Sequence, residues 1–81
     1  MREPSRDKGR LEDIVCYAEN VLSFVQGKTF EEFISDKLLY FAVLKNVEII
    51  GEAAYMLSIP FKDTHSELPW NEIIAMRHVF L

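Results

Sequence analysis

Apolar residues recur along most of this chain at helical intervals. Leu11, Ile14, Val15, Ala18, Val21, Leu22 and Val25 fall at i, i+3, i+4 and i+7 spacings, the stripe of one helix face. The pattern opens at Glu12-Asp13-Ile14-Val15, and Gly27 stands in the usual position just past a helix end. Thr29-Phe30-Glu31-Glu32 places a hydroxyl three residues before a carboxylate, the spacing of a capping box. It starts a short helix through Ile34, with Phe30, Phe33 and Ile34 as its apolar face. Asp36 is a suitable cap for a third helix over residues 37–58, which is apolar on nearly every side from Leu38 to Leu57. Such a helix is central to its domain or shared with a second subunit. Pro60 marks its end, residues 61–68 read as loop, and Pro69 suits the first turn of a last helix. In that helix Ile73, Ile74, Met76, Phe80 and Leu81 keep the helical spacing. No strand-like alternation occurs. The expectation is an all-α protein, an antiparallel helical bundle of about four helices with short connections, forming a single domain over residues 1–81.

Composition adds an expectation about assembly. Of the 81 residues 49% are hydrophobic, whereas a chain this short hides only about 60–65% of its unfolded surface. The excess calls for cover by another subunit or by further chain, so a homo-oligomer is expected. Met76-Arg77-His78-Val79-Phe80-Leu81 carries no Gly, Asn or Pro to close a helix, and its apolar residues are still in register. The fold is therefore expected to continue past residue 81. The net charge of −4 argues against broad electrostatic binding to nucleic acid and leaves room for a local basic site. Arg2, Arg6, Lys8 and Arg10 outnumber Glu3 and Asp7 in the first ten residues, a distribution typical of a solvated terminus and also compatible with a phosphate contact. Cys16 is the single cysteine, which excludes an intrachain disulfide and a Cys-based zinc site and fits a reducing, cytoplasmic setting. No apolar run reaches the length of about 18 residues that spans a membrane.

Chemistry-bearing residues concentrate in two places. Asn46, Glu48, Gly51 and Glu52 interrupt the apolar third helix. A helical Gly costs about 1 kcal/mol against Ala, so Gly51 implies close packing at a point without Cβ. On so apolar a helix at least one of Glu48 and Glu52 should be partly buried, and a buried carboxylate is best matched by an Arg. Arg77, in the apolar stripe of the last helix, is the candidate. Its structural role would be a salt bridge to Glu48 or Glu52, or a snorkelling side chain. Its functional role would be a phosphate contact, for which the guanidinium fork is suited. His78 has no visible partner, and His65 lies beside Asp63 and Thr64 in the expected loop, where it is expected to be exposed. The two histidines have no metal-ligand spacing, and no glycine-rich phosphate loop or nucleophile elbow is present, so no metal and no cofactor are expected.

Leu11-Glu12-Asp13-Ile14, Asn46-Val47-Glu48-Ile49-Ile50-Gly51-Glu52-Ala53-Ala54 and Pro69-Trp70-Asn71-Glu72-Ile73-Ile74-Ala75-Met76-Arg77-His78 occur in this order and separation. Together they resemble the HepT-like branch of the HEPN superfamily, toxins of prokaryotic toxin–antitoxin modules, and Thr29-Phe30-Glu31-Glu32-Phe33 resembles that family's short second helix. The resemblance implies a metal-independent endoribonuclease working as a homodimer, with the two motifs facing each other across the interface. In it an RNA 2′-OH attacks the adjacent phosphate, a His serves as general acid and base, and an Arg stabilises charge on the phosphoryl oxygens. Arg77 matches the family's catalytic Arg and His78 the polar residue after it. The catalytic His would fall immediately past Leu81 and a motif Tyr beyond it, so the 81 residues hold the Arg half of the motif and are expected to cleave RNA weakly or not at all. Glu52 and Asn46 would support Arg77 as hydrogen-bonding neighbours, with Arg77 in a dimer-facing groove. The implied partner is a small nucleotidyltransferase antitoxin, which in this branch can modify the motif Tyr with AMP. A second class of function competes: a non-catalytic helical interaction module that binds the nucleotidyltransferase.

Overall fold

Side-chain caps decide where three of the helices begin. In the computed structural model, which describes residues 3–79, Thr29 Oγ accepts from the Glu32 amide at 3.1 Å while Glu32 Oε1 accepts from the Thr29 amide at 2.8 Å. This reciprocal pair starts α2 (Phe30–Ser35). The Asp36 carboxylate accepts from the Leu39 amide at 3.1 Å and starts α3 (Lys37–Met56). Before them runs α1 (Asp7–Val25), preceded by one 3-10 turn (Pro4–Arg6), and after them come α4 (Ile59–Thr64), α5 (Trp70–Ala75) and a closing 3-10 turn (Met76–His78). The described residues contain these five α-helices and no strand, an all-α bundle as expected.

α3 is the central element. α1 packs along it, and α2, α5 and the closing 3-10 turn also rest on it. Val43, Ile50, Gly51, Ala53 and Ala54 are buried along its length, and Leu57 follows at its end. The expected stripe of α1 divides in two. Leu11, Ile14, Ala18, Val21 and Val25 are partly covered, whereas Val15 and Leu22, seven residues apart, remain exposed. Phe30, Ile34, Leu38 and Phe41 are likewise exposed, Leu38 at 87%. Phe30, Phe33, Tyr40 and Phe41 form a run of ring contacts with centroid separations of 5.4–6.4 Å that joins α2 to the start of α3. No helix among the described residues is long and apolar enough to cross a membrane.

Two elements differ from the sequence expectation. Residues 59–64, read as part of a helix end and a loop, form α4. Pro60 sits in its first turn, where the missing N–H costs nothing, and Ser58 caps it by accepting from the Phe61 amide at 3.2 Å. α1 also begins at Asp7, ahead of the apolar periodicity, so Lys8 and Arg10 belong to a helix and not to a free basic arm. Asp7 explains the early start. Its carboxylate accepts from the Ser58 amide at 2.8 Å and the Ser58 hydroxyl at 2.6 Å, pinning α1 to the α3–α4 corner. Ser58 is 1% exposed, so neither donor can turn to water instead. Asp7→Ala should therefore destabilise the fold by about 2 kcal/mol, the order expected when buried donors lose a charged acceptor. Thermal unfolding checks this; an unchanged melting temperature would show that water replaces Asp7.

Candidate active site

α5 is held in place at both ends. Trp70 Nε1 donates to the His65 carbonyl at 2.9 Å. The Phe61 ring stacks on His65 at 4.3 Å and meets Trp70 edge-on at 6.2 Å. These contacts fix the entry of α5 beside α4, and partly buried Ile73 and Ile74 follow. At Met76 the helix tightens into the 3-10 turn. There its backbone settles on Gly51 of α3. A Cβ on Gly51 would press into the Arg77 backbone nitrogen, and would lie 2.9 Å from the Met76 carbonyl carbon and 3.1 Å from the Arg77 Cα. The close packing expected at Gly51 is thus an approach between backbones, and Arg77 is the residue it positions.

The Arg77 side chain then runs along α3. Its Nη1 lies 3.6 Å from Glu52 Oε1, and its Cζ lies 3.7 Å from the centroid of the Tyr55 ring. The side chain keeps 26% of its surface exposed against 57% for Glu52. So exposed and long an ion pair contributes about 0–1 kcal/mol, and it orients the guanidinium more than it stabilises the fold. Arg77 Nε is buried without a hydrogen-bond partner among the described residues. That N–H is closed off from solvent, so a ligand could reach Arg77 only through its Nη groups.

The expected supporting residues divide. Glu52 is beside Arg77, whereas Glu48 is partly buried and pairs with Lys45 Nζ at 2.9 Å. Of the two carboxylates left open by the sequence, Glu52 is the one that meets Arg77. Asn46 faces α1, donating to the Ala42 carbonyl at 2.7 Å and accepting from Asn20 Nδ2 at 3.3 Å. Its side chain is spent on joining α1 to α3 rather than on Arg77. His78 is exposed in the closing turn. His65, expected to be exposed, is partly buried with Nδ1 3.0 Å from the Phe61 carbonyl. Phe80 and Leu81, which carried the expectation of a continuing helix, lie outside the described residues. Among the described residues no group of three or more His, Cys, Asp or Glu is placed to hold a metal ion. Tyr55 was not singled out from sequence. The available signal was its place four residues after Gly51 and three after Glu52, on the same helix face.

The fold is thus an all-α bundle in which the closing 3-10 turn presents an arginine against the central helix. The chain belongs to the HepT-like ribonuclease family: residues 14–81 match the family described as ribonuclease HepT-like. It is similar to the probable ribonuclease HepT of Thermococcus cleftensis, at 43% identity over 70 residues that cover 86% of this chain and 64% of that protein. A protein named "Putative RNase" from Caldanaerobacter subterraneus subsp. tengcongensis is 42% identical over 67 residues, covering 83% of this chain and 60% of the relative. A protein of the same name from Methanocaldococcus jannaschii is 32% identical over 74 residues, covering 91% and 68%. The chain thus spans 60–68% of the length of these relatives. No solved structure matches it significantly.

Proposed function

We propose that this chain supplies the arginine half of a metal-independent RNA-cleaving site. The observation that carries the reading is Arg77: its backbone is seated on Gly51, its side chain is partly exposed, and its ion pair to Glu52, at 3.6 Å, is too long to use up the Nη donors. A planar fork with spare donors suits a phosphodiester, whose negative oxygens take two parallel N–H bonds. In the proposed reaction the RNA 2′-oxygen bonds to phosphorus as it loses its proton, and the P–O5′ bond breaks as O5′ gains one. Arg77 stabilises the charge on the two non-bridging oxygens. Both proton transfers fall to a histidine that the family resemblance puts after Leu81, and His78 keeps the place of the polar residue next to the arginine. Glu52 holds the guanidinium from one side. Asn46 supports the site indirectly, through the α1–α3 contact.

The rest of the reading is a homodimeric ribonuclease toxin, one helical domain per subunit, acting in the cytoplasm and restrained by a small nucleotidyltransferase antitoxin. The exposed Val15, Leu22, Phe30, Leu38 and Phe41 support association. The same surface favours the second reading, a non-catalytic module that binds a protein partner. Sedimentation at micromolar concentration should show a dimer, and a clean monomer would remove the dimeric site. RNA cleavage in the presence of a chelator separates the two functions. The 81-residue chain should cleave about 10²–10⁴-fold more slowly than a form continued through the next histidine, the usual contribution of a placed general acid and base. Absence of cleavage by both would leave the interaction module as the better reading.

A further inference from the structure

We propose that Tyr55 is the positioning residue of Arg77, holding the guanidinium by its face so that its N–H edge stays open to a phosphate. Gly51, Glu52 and Tyr55 lie at i, i+1 and i+4 on α3, and all three address Arg77. Gly51 meets the backbone, Glu52 lies 3.6 Å from Nη1, and the Tyr55 ring centroid lies 3.7 Å from Cζ. The grip runs from main chain to side-chain tip. The two side-chain contacts differ in what they consume. A carboxylate engages guanidinium N–H groups, the same groups a phosphate needs, and here it does so at long range from an exposed position. An aromatic ring engages the face instead and leaves all five N–H donors in the plane. An arginine stacked in this way has lost much of its rotamer freedom before substrate arrives, while its hydrogen-bonding capacity is intact.

The catalytic consequence rests on the phosphate-contact reading of Arg77, so the test keeps the two apart. In the full-length protein, NMR of the Arg77 side chain reports the stack directly. The δ-methylene protons should be shifted upfield by the ring in wild type and in Tyr55→Phe, and should return to ordinary values in Tyr55→Leu. A 2′-O-methylated oligoribonucleotide, which cannot be cleaved, should move the Arg77 Nη–H signals. With cleavable RNA, Tyr55→Leu should lower kcat roughly 2- to 30-fold, the span of a cation–π contact, with KM little changed. Tyr55→Phe should retain activity, because the ring and not the hydroxyl makes the contact. Unshifted δ-methylene protons in wild type would overturn the proposal, as would equal loss in Tyr55→Phe and Tyr55→Leu. A shifted methylene with Nη–H signals indifferent to the oligonucleotide would overturn the phosphate reading, and with it the catalytic role given to Tyr55. If Tyr55→Leu does not fold, the wild-type methylene shift and retained activity in Tyr55→Phe carry the test, and loss of activity in a folded Tyr55→Phe overturns the proposal.

Discussion

Gly51→Ala is expected to lower stability by about 3 kcal/mol, a fall of roughly 12–24 °C in melting temperature for a domain of this size. In an open helix the same change would be favourable, since Ala is the better helix former by about 1 kcal/mol. At Gly51 the added methyl meets main chain, the Arg77 nitrogen and the Met76 carbonyl carbon, and not the far end of a flexible side chain. Main chain can yield only by moving the whole turn away from α3. Gly9 is the internal control. It also lies in a helix, α1, and a Cβ there would meet nothing within 4 Å. Gly9→Ala should therefore be neutral or slightly stabilising. Circular dichroism melts of both variants check the contrast, and equal melting temperatures would show that the close approach of α3 and the closing turn is not maintained in solution. The damage in Gly51→Ala should also displace Arg77, so any RNA cleavage should fall with the fold.

The central position of α3 was legible because its apolar residues leave no polar face, and the starts of α2 and α3 because Thr29, Glu32 and Asp36 are local capping signals. α4 was not, because Pro60 is an ambiguous mark: it stops one helix and suits the first turn of the next. The early start of α1 was hidden for a different reason. Asp7 and Ser58 are 51 residues apart, and no local pattern shows that a serine after an apolar helix will be buried against an acidic residue near the terminus. Part of the candidate site was readable. Arg77 in an apolar stripe and Gly51 in a helix interior each signal a neighbour, though not which one. The choice between Glu48 and Glu52 turns on the rotation of α3 against α5, which periodicity does not fix on a helix apolar all round. Asn46 was expected beside Arg77 only through the family resemblance, and its side chain is engaged by Asn20 on α1.

Arg77→Ala should reduce RNA cleavage by the full-length protein by about 10²–10³-fold, the usual effect of removing one preorganised donor to transition-state charge. Stability should change by only about 1–2 kcal/mol, because the ion pair to Glu52 is exposed and long and what remains is chiefly the Tyr55 contact. That separation between activity and stability is what marks a catalytic arginine from a structural one. Arg77→Lys divides the effect further. Lysine keeps the charge and loses the planar fork and most of the ring stacking, so it should recover only part of the rate. Glu52→Gln keeps the side-chain shape and removes the charge at 3.6 Å, and it should cost less than about tenfold, because the carboxylate orients Arg77 without contacting the phosphate. Thermal melts beside single-turnover cleavage read both quantities on the same samples. If Arg77→Ala unfolds the domain while Arg77→Lys restores stability and rate together, the arginine serves the fold through its charge. If all three variants cleave as wild type does, the α3-facing arginine is not where RNA is cut, and the exposed apolar faces of α1 to α3 become the functional surface.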